Sequence, residues 1–426
     1  MQPVETKNAN FLLTKRELLF AAIVLAALLL MLSGTFFTNS QAVKSYIEGY
    51  KTNGSIRINF FTNYNSNYFT RNITSVSSTN ETISSTNEGS EVTTNVTGYT
   101  CSRTPPNLLG RLNYNNASDI NPPSLDEIYR NNLRLEAGGR YTPLDCRAQY
   151  KVAIIIPLRG RETQLRSLLN HMHPIWQRQQ LDYTVYTIWQ SGENLFNRAK
   201  LMNIGFSEAS KERKYDCYVF HDVDLLLMDD RCLYWCPEED NPRSISIYID
   251  KFNFKPVSYG SICAPEPFKK TGERVHLFGG VSMLTSKQLN DINGCSNAYW
   301  GWGAEDNDLY VRLWSKGYEV QRDLYNKSCV FHMIKHTREK SNEKQDGRFA
   351  LYYKSLPRMG KDGLNSLKYG VLSIKREPLY TNITVDIGAP SQIFKQFMSK
   401  KIPNIRSQRC NRTIPSILEE WGPKII

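Results

Sequence analysis

The chain has 426 residues, 40% of them hydrophobic, nine cysteines and a formal net charge of +12. That charge raises nucleic-acid binding, but the basic residues are spread along the chain, with no basic helix and no recognised nucleic-acid motif, so that class is excluded. An anionic small substrate fits the same charge.

Residues 1–17 are polar and carry Lys7, Lys15 and Arg16, followed by an apolar run from Leu18 to Phe37 broken only by Ser33, Gly34 and Thr35. Roughly 20 apolar residues suffice to cross a bilayer as a helix. The run is longer than the apolar region of an ordinary signal peptide, and Leu32-Ser33-Gly34 is a weak cleavage site, so residues 18–37 read as an uncleaved signal anchor. Lys15 and Arg16 keep the N-terminus cytoplasmic, which makes residues 1–17 a cytoplasmic tail and everything after the single helix lumenal. Residues 38–99 are rich in Ser, Thr and Asn, with glycosylation triplets at Asn53, Asn72, Asn80 and Asn95; further triplets lie at Asn116, Asn326, Asn382 and Asn411. Such a composition buries too little apolar surface to fold compactly, so this stretch is expected to be a glycosylated stem. A lumenal location permits disulfides, and an odd cysteine count leaves at least one free or paired between chains. Cys232 and Cys236 are close in sequence, but no second pair at zinc spacing accompanies them.

Residues 100–400 have globular composition, and 401–426 form a basic, partly apolar tail. Lys151–Ile156 is a short β-branched run ending at Pro157 and predicts a buried strand. The pattern predicts a helix over Gln164–Gln179, a strand over Tyr183–Trp189 and a helix over Leu195–Lys211 with Asn194 as cap. Strands are predicted over Cys217–Leu227 and Ser244–Ile249. Strands alternating with helices mean an α/β domain with a largely parallel sheet, whose ligands bind beyond the carboxyl ends of the strands.

Polar chemistry sits at those ends. Arg159 and Arg161 follow the first strand, and Asp222-Val-Asp224 follows the apolar part of the third. On an extended chain the two carboxylates face one way and suit a hard divalent ion holding a diphosphate; a solvated turn is the plainer alternative. Met333 and His336, three apart, share a face if helical; packing plus a surface histidine explains them equally. Residues 295–308, CSNAYWGWGAEDND, join aromatics, glycines and acids. Acids favour a first helical turn, and LYVRLWSKG reads as that helix, but two tryptophans flanking one glycine in a polar loop point to a binding surface.

Taken together, VAIIIPLRGRE, HPIWQRQQLDY, FNRAKLMNIGF, YDCYVFHDVDL, FGGVSMLTSKQ, YWGWGAEDND, MIKH, DGLNSLKYGVL and PLYTNITVDIG, in this order between about Cys101 and Ser391, resemble the β-1,4-galactosyltransferase family. The resemblance implies a glycosyltransferase-A fold, a Golgi type II membrane protein, a UDP-sugar donor, Mn²⁺, and inverting transfer to terminal N-acetylglucosamine. By position, Pro157, Arg159, Arg161, Phe196, Arg198, Asp222 and Val223 would serve the nucleotide, and Asp224, Met333 and His336 the metal. Asp306 would be the base, with Glu305 beside it and Trp302 closing over the donor. Gly303, Arg348, Phe349 and Tyr352 would hold the acceptor. The resemblance also pairs Cys101 with Cys146 and Cys217 with Cys236.

Several positions depart from the family. Leu277 replaces a tyrosine that crowds the donor's 2-N-acetyl group, which puts UDP-N-acetylgalactosamine ahead of UDP-galactose as donor. Arg274, Asn307 and Ala304 replace Tyr, Asp and Gly, and SYGSICAPEPFKK lengthens the chain before Leu277. Competing readings are a transferase with a xylose or glucose acceptor, a catalytically silent lumenal lectin, and an adhesion protein with a glycosylated stem.

Overall fold

The computed structural model describes residues 47–52, 55–60 and 98–399, the last span without 115–118, 238–240, 260–263, 323, 325–326, 338–341 and 345. The expected membrane anchor at 18–37 and the tail at 401–426 lie outside the described residues. No described helix is long and apolar enough to cross a membrane. The chain divides into two compact units, residues 1–90 and 91–426.

Of the first unit the structure describes an antiparallel hairpin, β1 (Ile47–Thr52) and β2 (Ser55–Phe60). This hairpin lies within the expected stem. SIRINF alternates apolar and polar residues at the strand period, and Asn53-Gly54, noted above only as part of a glycosylation triplet, is also a strong hairpin dipeptide.

The second unit runs through α1 (Leu125–Arg130), β3 (Arg140–Tyr141), β4 (Lys151–Leu158), α2 (Glu162–Arg178), β5 (Asp182–Gln190), α3 (Arg198–Glu212), β6 (Cys217–His221) and β7 (Leu225–Leu227). It continues through β8 (Arg243–Ser244), β9 (Tyr248–Ile249), β10 (Ser258–Tyr259), α4 (Glu266–Lys270), β11 (Val275–His276), β12 (Val281–Leu284), α5 (Ser286–Asp291), α6 (Glu305–Ser315) and β13 (Val330–Met333). It closes with α7 (Arg348–Tyr353), α8 (Ser355–Met359), β14 (Gly370–Arg376), β15 (Thr381–Asp386) and α9 (Gln392–Ser399). The main sheet has eight strands in the order β14-β15-β5-β4-β6-β12-β8, with β3 beside β5. β15, β5, β4 and β6 are mutually parallel, while β14, β12 and β8 add antiparallel edges. The parallel expectation therefore holds for the centre alone.

β4 explains the layering. Its residues are buried on both faces, as a central parallel strand requires. Val152, Ile154 and Ile156 pack with Leu168, Met172 and Trp176 of α2. Ala153 and Ile155 pack on the other side with Leu201, Met202 and Ile204 of α3. Pro157 is tolerated because pairing with β6 stops at Ile155, so the missing N–H breaks no ladder on that side.

Two predicted strands are divided. Cys217–Leu227 is interrupted at Asp222, and its second half joins a separate small sheet, β7-β13-β9. Ser244–Ile249 likewise splits between the two sheets, at β8 and β9. The helical option for Met333 to His336 is also wrong: Met333 ends a strand and His336 lies in the loop beyond.

Among the described residues three disulfides close the domain. Cys101–Cys146 and Cys217–Cys236 are as implied above. Cys232–Cys329 spans 97 residues and had no sequence signal. Cys295 is buried and free, while Cys263 and Cys410 lie outside the described residues.

Candidate active site

The carboxyl ends of β4, β5 and β6 open onto one cleft. From β4 emerge Arg159 and Arg161, just beyond the buried Pro157. Arg159 Nη1 donates to Asn194 O at 2.6 Å, and its guanidinium lies 5.5 Å from the Phe196 ring centre. Arg161 Nη2 donates to Thr337 O at 3.0 Å, so the arginine loop reaches the segment after β13. α3 is capped by Asn197, whose side chain accepts from Lys200 N–H; Asn194, the predicted cap, is three residues too early.

Arg198 opens α3 and anchors the cleft's electrostatics. Its Nε is 2.6 Å from Asp222 Oδ1, and Glu305 and Asp306 act on it as further negative charges, which hold the guanidinium firmly protonated. One cation thus faces three carboxylates. Burial pushes the Asp222 and Asp306 carboxyls above the usual carboxylate range, against the pull of Arg198. Burial first and Asp306 second push Glu305 up to about 7. Glu305 Oε2 is buried without a hydrogen-bond partner.

Asp222 and Asp224 do not sit on an extended strand as anticipated. Leu225 N–H donates to Asp222 O across a tight turn around the buried Val223, so the two side chains take different partners. Asp222 pairs with Arg198, whereas Asp224 Oδ2 lies 2.9 Å from His336 Nε2. The small sheet brings the latter pair together. Met333 registers with Leu225, and Ile334 N–H donates to Asp224 O at 2.8 Å. Asp224 and His336 are therefore brought together by β7 and β13, and Met333 ends β13 opposite Leu225. Among the described residues no group of three or more His, Cys, Asp or Glu converges on one point. Carboxylate and imidazole suit Mn²⁺, and the excess of acid over base around Arg198 favours a cation; Met333 is a soft donor to a hard ion. The residues present fit such an ion.

α6 brings the base. Asp306 is in its first turn, and a Cβ on Gly279 would lie 3.0 Å from Asp306 Oδ2, so Gly279 is bare where the carboxylate approaches. Gly280 O accepts from Asp222 N–H, which fixes this glycine turn to Asp222. Leu277, half-buried, stands two residues before Gly279.

The aromatic loop is held at its base and open at its tip. Gly301 N–H donates to Phe196 O, and Trp302 N–H to Glu343 O. The Trp302 side chain is 43% exposed, with Lys344 Nζ 4.9 Å from its ring. Gly303 adopts φ +105°, and a Cβ there would meet Arg348 Nε at 3.2 Å, which joins two expected acceptor residues. Arg348 lies 4.3 Å above the Phe349 ring, and the Tyr352 hydroxyl is buried beside Asn307. Arg274 is exposed on the turn before β11.

Sequence reasoning missed the loop's foundation. Asp308 is fully buried, paired with Arg312 at 2.5 Å and Arg358 at 3.3 Å, and it accepts the Tyr299 hydroxyl at 2.9 Å. Asp362 accepts Asn297 N–H and the Ser296 hydroxyl from the loop's other end. The four-residue step from Asp308 to Arg312 was the available signal.

Residues 101–237 match the N-terminal region of glycosyl transferase group 7, and residues 261–337 match the N-terminal domain of galactosyltransferase. The chain is 48% identical over 271 residues to bovine β-1,4-galactosyltransferase 1, covering 63% of this chain and 62% of that protein. It is 46% identical over 288 residues to human β-1,4-galactosyltransferase 2, covering 67% and 71%. The chain belongs to the β-1,4-galactosyltransferase family. Among solved structures it resembles a Drosophila β-1,4-galactosyltransferase 7 variant in complex with manganese, UDP-Gal and xylobiose, at 26% identity and a TM-score of 0.47, over 59% of this chain and all of that one. The family's glycosyl-transfer chemistry accords with a cleft that joins arginines, acids and an aromatic loop.

Proposed function

We propose that this chain is an inverting β-1,4-hexosyltransferase that moves galactose or N-acetylgalactosamine from its UDP-sugar to terminal N-acetylglucosamine on glycoproteins or glycolipids. The observation that carries this reading is the convergence of Asp222, Glu305 and Asp306 on Arg198, with Asp224, held to His336, close enough to act on Asp222. Asp306 takes the proton of the acceptor hydroxyl as its oxygen bonds to the anomeric carbon and the bond to the departing UDP breaks on the opposite face. Bound through Asp224 and His336, with Met333 beside them, Mn²⁺ would supply charge to the leaving diphosphate. Arg159 and Arg161 add positive charge on the same side, and Phe196 offers the uracil a flat face. Trp302 folds over the donor and shields it from water, with Gly301 and Gly303 allowing the movement. Gly303, Arg348, Phe349 and Tyr352 form the acceptor wall.

Leu277 supports the acetylated donor. It sits two residues from the glycine that meets the base, where a larger side chain would take the space of a 2-N-acetyl group. The apolar run at 18–37 and the stem composition support a single-pass Golgi location with the catalytic unit lumenal. The test follows UDP release by a secreted form beginning near Tyr99, with Mn²⁺ and a β-N-acetylglucosaminide. Faster turnover with UDP-N-acetylgalactosamine, reversed by Leu277→Tyr, supports the donor reading; a preference for UDP-galactose confines Leu277 to packing. Asp306→Asn should lower kcat about 10³-fold while UDP binding is kept. Full activity in that variant would remove Asp306 as base.

A further inference from the structure

The strand that carries Met333 loses one of its two neighbours just where Met333 lies. β9 pairs with β13 only at Val330 and Phe331, then turns into a short 3₁₀ helix that begins at Asp250. The Asp250 carboxylate replaces the missing ladder: Oδ1 accepts Met333 N–H at 3.0 Å. Its other oxygen, Oδ2, lies 2.5 Å from His332 Nδ1, and His332 Nε2 lies 2.9 Å from Asp119 Oδ2. Asp119 Oδ1 in turn accepts the Tyr114 hydroxyl at 2.6 Å, and the Tyr114 ring packs on His171 and His332. Adjacent strand residues point to opposite faces, so the buried His332 is gripped from behind while Met333 faces the other way. On the far edge of β13, Ile334 N–H holds the Asp224 carbonyl.

We infer that Asp250 is a positioning residue for the metal-holding set: by capping β13 at Met333 and clamping His332 against Asp119, it fixes Met333 and, through Ile334, Asp224. The inference rests on the proposed metal role of Asp224, Met333 and His336. Partners that orient metal ligands commonly cost 10–100-fold in affinity when removed. The test measures Mn²⁺ affinity by the electron paramagnetic resonance of the free ion, with UDP present, on the secreted lumenal form. Asp250→Ala should bind Mn²⁺ about tenfold more weakly, with kcat at saturating Mn²⁺ kept within about threefold. Asp250→Asn keeps an oxygen for Met333 N–H and should fall between Ala and the parent. Unchanged Mn²⁺ affinity in a folded Asp250→Ala protein overturns the inference. Should that variant not fold, the Asn form decides: weaker binding supports positioning and parental binding overturns it. Asp224→Ala is the control. If it leaves Mn²⁺ affinity intact, the metal reading fails and the inference with it; if it abolishes binding while the Asp250 variants match the parent, positioning alone fails.

Discussion

The Glu305 carboxyl is held near pH 7 by burial and by Asp306 beside it. An acid whose folded pKa lies above its unfolded value holds protons that the unfolded chain has released. Its contribution is therefore intact below pH 4.5 and is lost as pH rises through about 7. Glu305→Gln should accordingly raise Tm at pH 8 by a few degrees, on the order of 1 kcal/mol, and leave it unchanged at pH 4. Equal shifts at both pH values would show that the charge is not the cause. One residue earlier, Ala304 occupies φ +75°, a left-handed conformation that costs a residue with a Cβ about 1 kcal/mol. Ala304→Gly relieves that strain but loses a buried methyl and frees the unfolded chain, so its Tm should stay within about 2 °C of the parent. Ala304→Val adds β-branching where φ is positive and should cost roughly 2 kcal/mol in thermal denaturation. If both variants melt alike, packing rather than strain governs the position.

At the level of elements, the lengthened stretch before Leu277 has become structure. Its α4 lies against α6, as does β11 just beyond it, and Phe268 is fully buried, edge-on to Trp314 at 5.1 Å and to Tyr310 at 6.1 Å. The same small core includes Ala350, Leu351 and Tyr352 of α7. Phe268→Ala should cost about 3 kcal/mol and, through that shared core, raise the acceptor KM more than the donor KM. A larger effect on the donor would detach the segment from the acceptor wall. This element also marks where the sequence stopped being legible. β4, β5, α2 and α3 follow from apolar runs and helical spacing because each buries a face that its own residues define. The division at Asp222 and the pairing of β7 with β13 do not, because strands of three or four residues take their partners from the rest of the fold. For the site, the pairing of Asp222 and Asp224 at a strand end is legible in the sequence, whereas a role for Asp306 rests on the family resemblance. The Asp308–Arg358 clamp joins residues 50 apart and carries no local pattern.

Across the whole molecule, Cys232–Cys329 ties the loop after β7 to the start of β13. A closed loop of this length restricts the unfolded chain by about 4–5 kcal/mol on the chain-entropy account. Replacing both cysteines with alanine should lower Tm by roughly 10 °C, while single-turnover chemistry at low temperature stays near parental. An unchanged melting point would mean that the unfolded state is already held together elsewhere. A last consequence concerns Asn382. Its glycosylation triplet lies inside β15, half-buried between β14 and β5, and its Oδ1 receives the Thr187 hydroxyl from a strand 195 residues earlier. Sugar addition and strand insertion compete for one side chain, so in a secreted preparation the occupancy of Asn382 is a clock for folding. Intact mass of the parent protein should show this site empty. A variant that folds late, such as the one without Cys232–Cys329, should carry a fraction of molecules with a glycan there, each a chain in which β15 arrived after the sugar.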